Sequence, residues 1–286
     1  MHDGESCSAY HDLAIDLRRT ALFFDFDGTL AAIVENPADV AIEPGVTRAL
    51  ARLHEATCGA LAIVSGRPIE TLDSLLQPLK LPIAGVHGLE WRGHDGRVHR
   101  GIYDDAKLAR IRRAVSAFVD RHPALSMESK PGSVALHYRR GPHLEGACQE
   151  FAQRLSETVG GVSPIHGKMV VELRLGGRNK ADAVAQFMSA PPFRGRAPLF
   201  VGDDVTDEDA LRKVEQIGGT GVKIGSGVTT GSARFADRAD FMRWLHTLAA
   251  GTAGNGPNQT AGGHHLQARR AGVNPAPRAG TAGAKP

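Results

Sequence analysis

Three short apolar runs in this chain each stop at a polar cluster. Ala21-Leu22-Phe23-Phe24 ends at Asp25, Ala60-Leu61-Ala62-Ile63-Val64 at Ser65, and Pro198-Leu199-Phe200-Val201 at Gly202-Asp203-Asp204. A run that is apolar at every position, not at alternate ones, reads as a strand buried on both faces. Such strands belong to parallel sheets with helices on either side. Each run is followed by a polar or glycine-rich turn and then a helical pattern. The prediction is an α/β fold with a Rossmann-like parallel sheet that gathers three sets of polar groups along its carboxyl edge, where ligands of such sheets bind. Composition adds little to this: 42% hydrophobic and 23% charged residues are ordinary for a globular chain.

Residues 105–175 have a different character. A helical pattern from Ala106 to Arg121 leads to an alternating stretch, Ser133 to Tyr138. A second helical pattern, Leu144 to Val159, leads to another alternation, Met169 to Leu173. The expectation is an α-β-α-β module inserted into a discontinuous core of residues 1–104 and 176–250. From Gly251 onward, 8 glycines, 8 alanines and 4 prolines leave almost nothing to bury, which predicts a disordered tail. That tail holds Arg269, Arg270, Arg278 and Lys285 with no acid. The net charge of +3 therefore lies there and not on a basic surface, and no nucleic-acid partner is expected. Asp3, Glu5 and Asp12 occupy the place of a signal peptide's basic region, and no apolar run reaches membrane-spanning length. Cys7, Cys58 and Cys148 suggest neither a disulfide framework nor a zinc site. A cytoplasmic monomer acting on a small molecule is expected, with no membrane partner.

The chemistry concentrates at Asp25-Phe26-Asp27-Gly28-Thr29-Leu30. Two carboxylates two residues apart at a strand end project to the same side, and Gly28 allows a sharp turn with no side chain in the way. One carboxylate suits attack on phosphorus, the other a leaving-group proton. Bringing two anions together calls for a hard cation such as magnesium on oxygen ligands. The plainer alternative is a helix cap by Asp27 or Thr29. Ser65-Gly66-Arg67-Pro68 offers a hydroxyl and backbone N–H groups before a helix from Ile69, and serves equally as a phosphate-oxygen site or an N-cap. Lys180, directly before the third run, brings a cation to the same edge. In the run from Gly202 to Asp209, Asp203 is assigned to magnesium, Asp207 to a supporting or water-bridged place, and Glu208 and Asp209 to the start of a helix.

Taken together, the D-x-D-G-T-L segment, the Ser-Gly-Arg turn, Asn179-Lys180 and the G-D-D-x-T-D run resemble the haloacid dehalogenase superfamily. Gly85-Val86-His87-Gly88-Leu89-Glu90, Glu128-Ser129-Lys130, His137-Tyr138-Arg139, Gly167-Lys168 and Glu172-Leu173-Arg174 narrow the resemblance to the trehalose-6-phosphate phosphatases, over roughly residues 20–245. The resemblance implies a haloacid dehalogenase core with an inserted α/β cap that sets substrate specificity. Asp25 would be the nucleophile and Asp27 the general acid and base, with its backbone carbonyl on magnesium. Asp203 would be a further metal carboxylate, and Ser65 and Lys180 would bind the phosphoryl group. Glu128, Lys130, Arg139, Lys168 and Glu172 would meet sugar hydroxyls from the cap, with His87 and Glu90 on the core side. Phe26 and Arg67 join the substrate-contacting set, and Asp25, Asp27, Asp203 and Asp207 the metal set. Without the resemblance, the cap charges read as a solvated sheet edge and His137 as a satisfied, half-buried histidine. Two other functions fit the same motifs: a phosphatase for another sugar phosphate such as sucrose phosphate, and a sensing module that binds without hydrolysing.

Overall fold

The computed structural model describes residues 8–9, 15–36 and 39–252. Its strands, in chain order, are β1 (Ser8–Ala9), β2 (Thr20–Phe24), β3 (Leu61–Val64), β4 (Ile83–Gly85), β5 (Glu90–Arg92), β6 (Val98–Arg100), β7 (Ser126–Lys130), β8 (Ser133–His137), β9 (Val162–Gly167), β10 (Val170–Leu175), β11 (Ala197–Gly202), β12 (Thr220–Ile224) and β13 (Ala233–Phe235). The α-helices are α1 (Pro44–Ala56), α2 (Ile69–Leu76), α3 (Asp105–Val119), α4 (Glu145–Val159), α5 (Lys180–Met188), α6 (Glu208–Gln216) and α7 (Arg238–Gly251).

The larger sheet has nine strands in the order β1-β13-β12-β11-β2-β3-β4-β5-β6. Pairing is parallel from β1 to β4, and β5 and β6 add an antiparallel edge. In β2 every side chain is buried, as the apolar run predicts, and the strand's period of two sorts them. Leu22 and Phe24 join the helix side chains of α1, α2 and α7, whereas Ala21 and Phe23 join those of α5 and α6. Helices thus cover both faces, and the loops leaving β2, β3 and β11 open along one carboxyl edge. Fold and class agree with the sequence reading.

The elements from Asp105 to Leu175 build a second, four-stranded antiparallel sheet, β7-β8-β10-β9, with α3 and α4 on one face. Each helix is followed by two strands, so the order is α-β-β-α-β-β and not the expected α-β-α-β. The two missed strands, β7 and β9, are the sheet's edges. An edge strand tolerates the polar run Ser126-Met127-Glu128-Ser129-Lys130 and the Pro164 and Gly167 of β9, so neither carries a strong strand signal.

Register divides this sheet cleanly. Val134, Leu136, Val171 and Leu173 pack under α3 and α4. The opposite face is laid out in cross-strand rows: Glu128, Ala135, Glu172 and Ile165 form one, Ser126, His137, Val170 and Gly167 the next. That face looks onto the carboxyl edge of the large sheet. Among the described residues no helix is long and apolar enough to cross a membrane. The tail expected to be disordered lies, from residue 253 on, outside the described residues.

Candidate active site

The turn after β2 is built around a glycine that admits no replacement. Gly28 has φ +88°, and a Cβ there would sit 2.2 Å from Asp203 Oδ2. Its hydrogen atom lets the loops after β2 and β11 approach each other, which brings Asp25 and Asp203 into one cluster. Gly202 acts alike: a Cβ would meet the Asp207 carboxyl at 2.4 Å. Asp25 continues β2, its N–H donating to the Val201 carbonyl at 2.9 Å, and is 3% exposed.

Lys180, the first residue of α5, reaches this point fully inside the protein. Asn179 caps the helix through a reciprocal bond pair with Asp182, which fixes where the lysine enters. Its Nζ donates to Asp25 Oδ1 at 2.7 Å and to Asp207 Oδ1 at 2.6 Å. The other Asp207 oxygen accepts from the Asp204 N–H at 2.9 Å. Thr29 Oγ1 donates to Asp203 Oδ1 at 3.5 Å.

The cluster holds more acid than its lysine can neutralise. Burial, then repulsion from Asp207, pushes the Asp25 carboxyl well above the usual range even with Lys180 beside it. Burial, with Asp207 and Asp204 adding to it, pushes Asp203 up to about 7. Against the downward pull of burial, Asp207 and Asp25 hold the Lys180 ammonium firmly charged. Asp25, Asp203 and Asp207 each offer a carboxylate oxygen within 4.8 Å of the others. A surplus of negative charge on converging hard oxygen donors fits a divalent cation of the magnesium type. The Asp27 side chain stands outside this trio, since both its oxygens accept from Arg67, at 2.7 Å from Nε and 2.8 Å from Nη2.

Ser65 directly follows β3 and is buried, with its Oγ accepting from the Arg67 N–H at 3.1 Å. His87 lies in a tight turn after β4 where Val86 and His87 both have positive φ, 47° and 53°. A β-branched valine in that region is strained, and hydrogen bonds from Val86 N to Arg67 O and from His87 N to Ser65 O hold it there. The turn lays the imidazole over Gly66, where a Cβ would come within 2.6 Å of Nε2.

The cap supplies the facing wall. Glu172 Oε2 accepts from Lys130 Nζ at 3.2 Å and lies 3.4 Å from His87 Nε2, a contact between cap and core. His137 Nε2 meets Glu128 Oε2 at 3.0 Å, and Arg139 Nη1 donates to the Val34 carbonyl of the loop after β2. Against burial, Lys130 and His87 hold Glu172 well below the usual carboxylate range, and Glu172 and Glu128 keep Lys130 charged. Among the described residues Glu172 Oε1 and Arg139 Nε, both buried, find no hydrogen-bond partner, so this wall keeps polar capacity in reserve.

Core and cap together line an open cavity of about 120 Å³. Of the positions singled out from sequence, Asp25, Asp27, Arg67, His87, Glu128, Lys130, Arg139, Lys168, Glu172, Lys180 and Asp203 line it. Ser65, Asp207, Phe26 and Glu90 do not. Asp207 is joined to the lining through Lys180, and Ser65 through its bond from the Arg67 N–H. Phe26 is wholly buried in the hydrophobic core, so its side chain is no substrate contact. Glu90, 3% exposed, is also outside: Oε2 accepts from the Ile69 N–H at the start of α2 at 2.8 Å, and Oε1 from Arg100 Nε at 3.1 Å. It is therefore a helix-capping and strand-bracing residue. His137, which the sequence offered in the His137-Tyr138-Arg139 motif and otherwise as a satisfied, half-buried histidine, lines the cavity and braces Glu128; the sequence reading passed over Ile33, Ile165 and Val170, apolar side chains on the cavity wall.

A parallel sheet with an acid cluster at the ends of β2 and β11 under an inserted cap defines a phosphatase of the haloacid dehalogenase class. Solved structures share the fold. One is the C-terminal domain of Candida albicans trehalose-6-phosphate phosphatase, with TM-score 0.74 and 22% identity, covering 82% of this chain and 92% of that one. Another is a haloalkanoate-superfamily phosphatase from Bacteroides thetaiotaomicron, with TM-score 0.56 and 15% identity, covering 82% and 95%. Sequence is more specific. The trehalose-phosphatase family model matches residues 23–239. The trehalose-6-phosphate phosphatase of Escherichia coli (strain K12) is 40% identical over 228 residues, 80% of this chain and 86% of the relative. The chain belongs to the trehalose-phosphatase family.

Proposed function

We propose that this enzyme hydrolyses trehalose 6-phosphate to trehalose and inorganic phosphate in two magnesium-dependent steps, through an aspartyl phosphate on Asp25. The observation that carries the reading is the buried pair of bonds from Lys180 to Asp25 and Asp207 at 2.7 and 2.6 Å, beside Asp203 and beneath the charged cap face.

In the first step an Asp25 oxygen forms a bond to phosphorus as the phosphorus–sugar oxygen bond breaks, and Asp27 gives its proton to the departing oxygen. In the second, Asp27 takes a proton from a water that attacks the same phosphorus, which releases phosphate and restores Asp25. Arg67 fixes the plane of the Asp27 carboxyl through both oxygens while each oxygen keeps a further lone pair for the travelling proton. Lys180, which lines the cavity, offsets the charge of the transferring phosphoryl oxygens, and Ser65 supports the adjoining Gly66-Arg67 turn through its bond from the Arg67 N–H. Magnesium, held by Asp25, the Asp27 carbonyl, Asp203 and Asp207, would supply positive charge where two anions must meet. On the cap, Glu172 Oε1 accepts from a sugar hydroxyl, and Glu128, Lys130, Arg139 and Lys168 complete the polar contacts. Cap and core around the substrate exclude bulk water from the acyl phosphate.

The test is phosphate release by the full chain from trehalose 6-phosphate, glucose 6-phosphate and sucrose 6-phosphate, each with magnesium and with EDTA. Magnesium-dependent preference for trehalose 6-phosphate is expected. Equal rates on all three would leave the core chemistry and discard the sugar assignment. Tight binding with no release would replace the enzyme with a sensor.

A further inference from the structure

The polar face of the cap sheet is not polar throughout. Ile165 on β9 stands directly across from Glu172 on β10, and Val170 lies two residues before Glu172 on the same strand, hence on the same face. Ile165 and Val170 are therefore diagonal neighbours, and Val170 stands between Gly167, which adds no side chain, and His137. Both are half-buried and both line the cavity. From the core, Ile33 of the loop after β2 lines the same cavity and is 36% exposed. On the far side of Glu172 the row continues through Ala135 to Glu128 on β7, and His137 lies in the next row. The cavity wall thus carries an aliphatic patch beside Glu172, bordered by His137, Lys168 and Asp204.

Leaving aliphatic groups half-wet in an otherwise ionic cavity is unfavourable unless a ligand covers them. A pyranose ring has both kinds of surface: hydroxyls around its edge and a patch of C–H groups on its face. An acceptor with an apolar patch beside it matches that division.

We propose that Ile165 and Val170, with Ile33, form an aliphatic platform for the C–H face of an uncharged sugar ring distant from the phosphate. They are specificity-determining residues for a disaccharide phosphate. This deepens the functional reading above and rests on it. The platform works by desolvation and so discriminates against leaving groups too short to reach it, without touching the phosphoryl chemistry.

The experiment uses the full chain with magnesium, comparing trehalose 6-phosphate with acetyl phosphate, which has no ring, and measuring competitive inhibition by free trehalose. Ile165→Thr and Val170→Thr keep a β-branched residue and put a hydroxyl in place of the isoleucine ethyl or one valine methyl; Ile33→Thr makes the isoleucine exchange from the core. Each is expected to lower kcat/KM for trehalose 6-phosphate about tenfold, chiefly through KM, and to weaken trehalose inhibition in parallel. The loss on acetyl phosphate is expected to be several times smaller, and Ile165→Val to restore most of the sugar-phosphate activity. Equal losses on the two substrates would assign these residues to packing alone, and unchanged kinetics on trehalose 6-phosphate would also overturn the platform. A wild-type enzyme that cleaves acetyl phosphate but not trehalose 6-phosphate would instead remove the substrate reading, and the platform with it.

Discussion

The two sheets of this protein solve opposite problems. The nine-stranded sheet is covered by helices on both faces and offers function only at its edge, where strands β2, β3 and β11 end. The four-stranded sheet is covered on one face and offers function across the whole of the other. In the first, the reactive groups are few, buried and held by short bonds such as the 2.6 Å contact from Lys180 to Asp207. In the second they form a broad field of paired charges and apolar side chains. An edge of convergent loops suits one fixed reaction, and an open face suits a shaped, replaceable surface. On this account the core carries the chemistry on any phosphate it can reach, and the cap decides which phosphate that is.

That division can be broken at several points. The largest effect is expected from Asp25→Asn, which removes the proposed nucleophile: turnover falls by at least about 10⁴-fold on trehalose 6-phosphate and acetyl phosphate alike, with the fold retained by circular dichroism. Lys180→Met leaves Asp25 and Asp207 without their shared cation, and a loss of about 10³-fold on both substrates follows, measured as kcat. Glu172→Gln removes the acceptor beside the apolar patch. It is expected to cost about 10²-fold in kcat/KM on trehalose 6-phosphate and far less on acetyl phosphate. Equal losses there would erase the distinction between the sheets. Glu90→Gln, outside the cavity, weakens the bonds to Ile69 N–H and Arg100; a stability loss of about 1 to 2 kcal/mol in urea unfolding is expected, with kcat nearly unchanged.

The same contrast explains what could be read from the chain alone. Core strands announce themselves as unbroken apolar runs, and the residues just past each run, Asp25, Ser65 and Asp203, follow from where a parallel strand must end. The cap's register also follows from alternation once its strands are known, but its edge strands β7 and β9 need little apolar character and left no clear pattern. Partnerships made across the chain were harder still. Glu90 caps α2 only because β4 and β5 pair antiparallel and bring residue 90 back to residue 69. Arg67 holds Asp27, 40 residues away in sequence. His137 is a brace for Glu128 through the pairing of β7 with β8. No local spacing encodes these contacts, because sheet order determines them.

The most direct test of the central claim is to mix excess enzyme with magnesium and ³²P-labelled trehalose 6-phosphate, quench in acid within the first turnover, and locate the label by borohydride reduction and peptide mass spectrometry. The account predicts transient labelling at Asp25 alone, seen as its conversion to homoserine on reduction and absent in Asp25→Asn. Full turnover with no acyl phosphate at residue 25, or with the label on another residue, would contradict it.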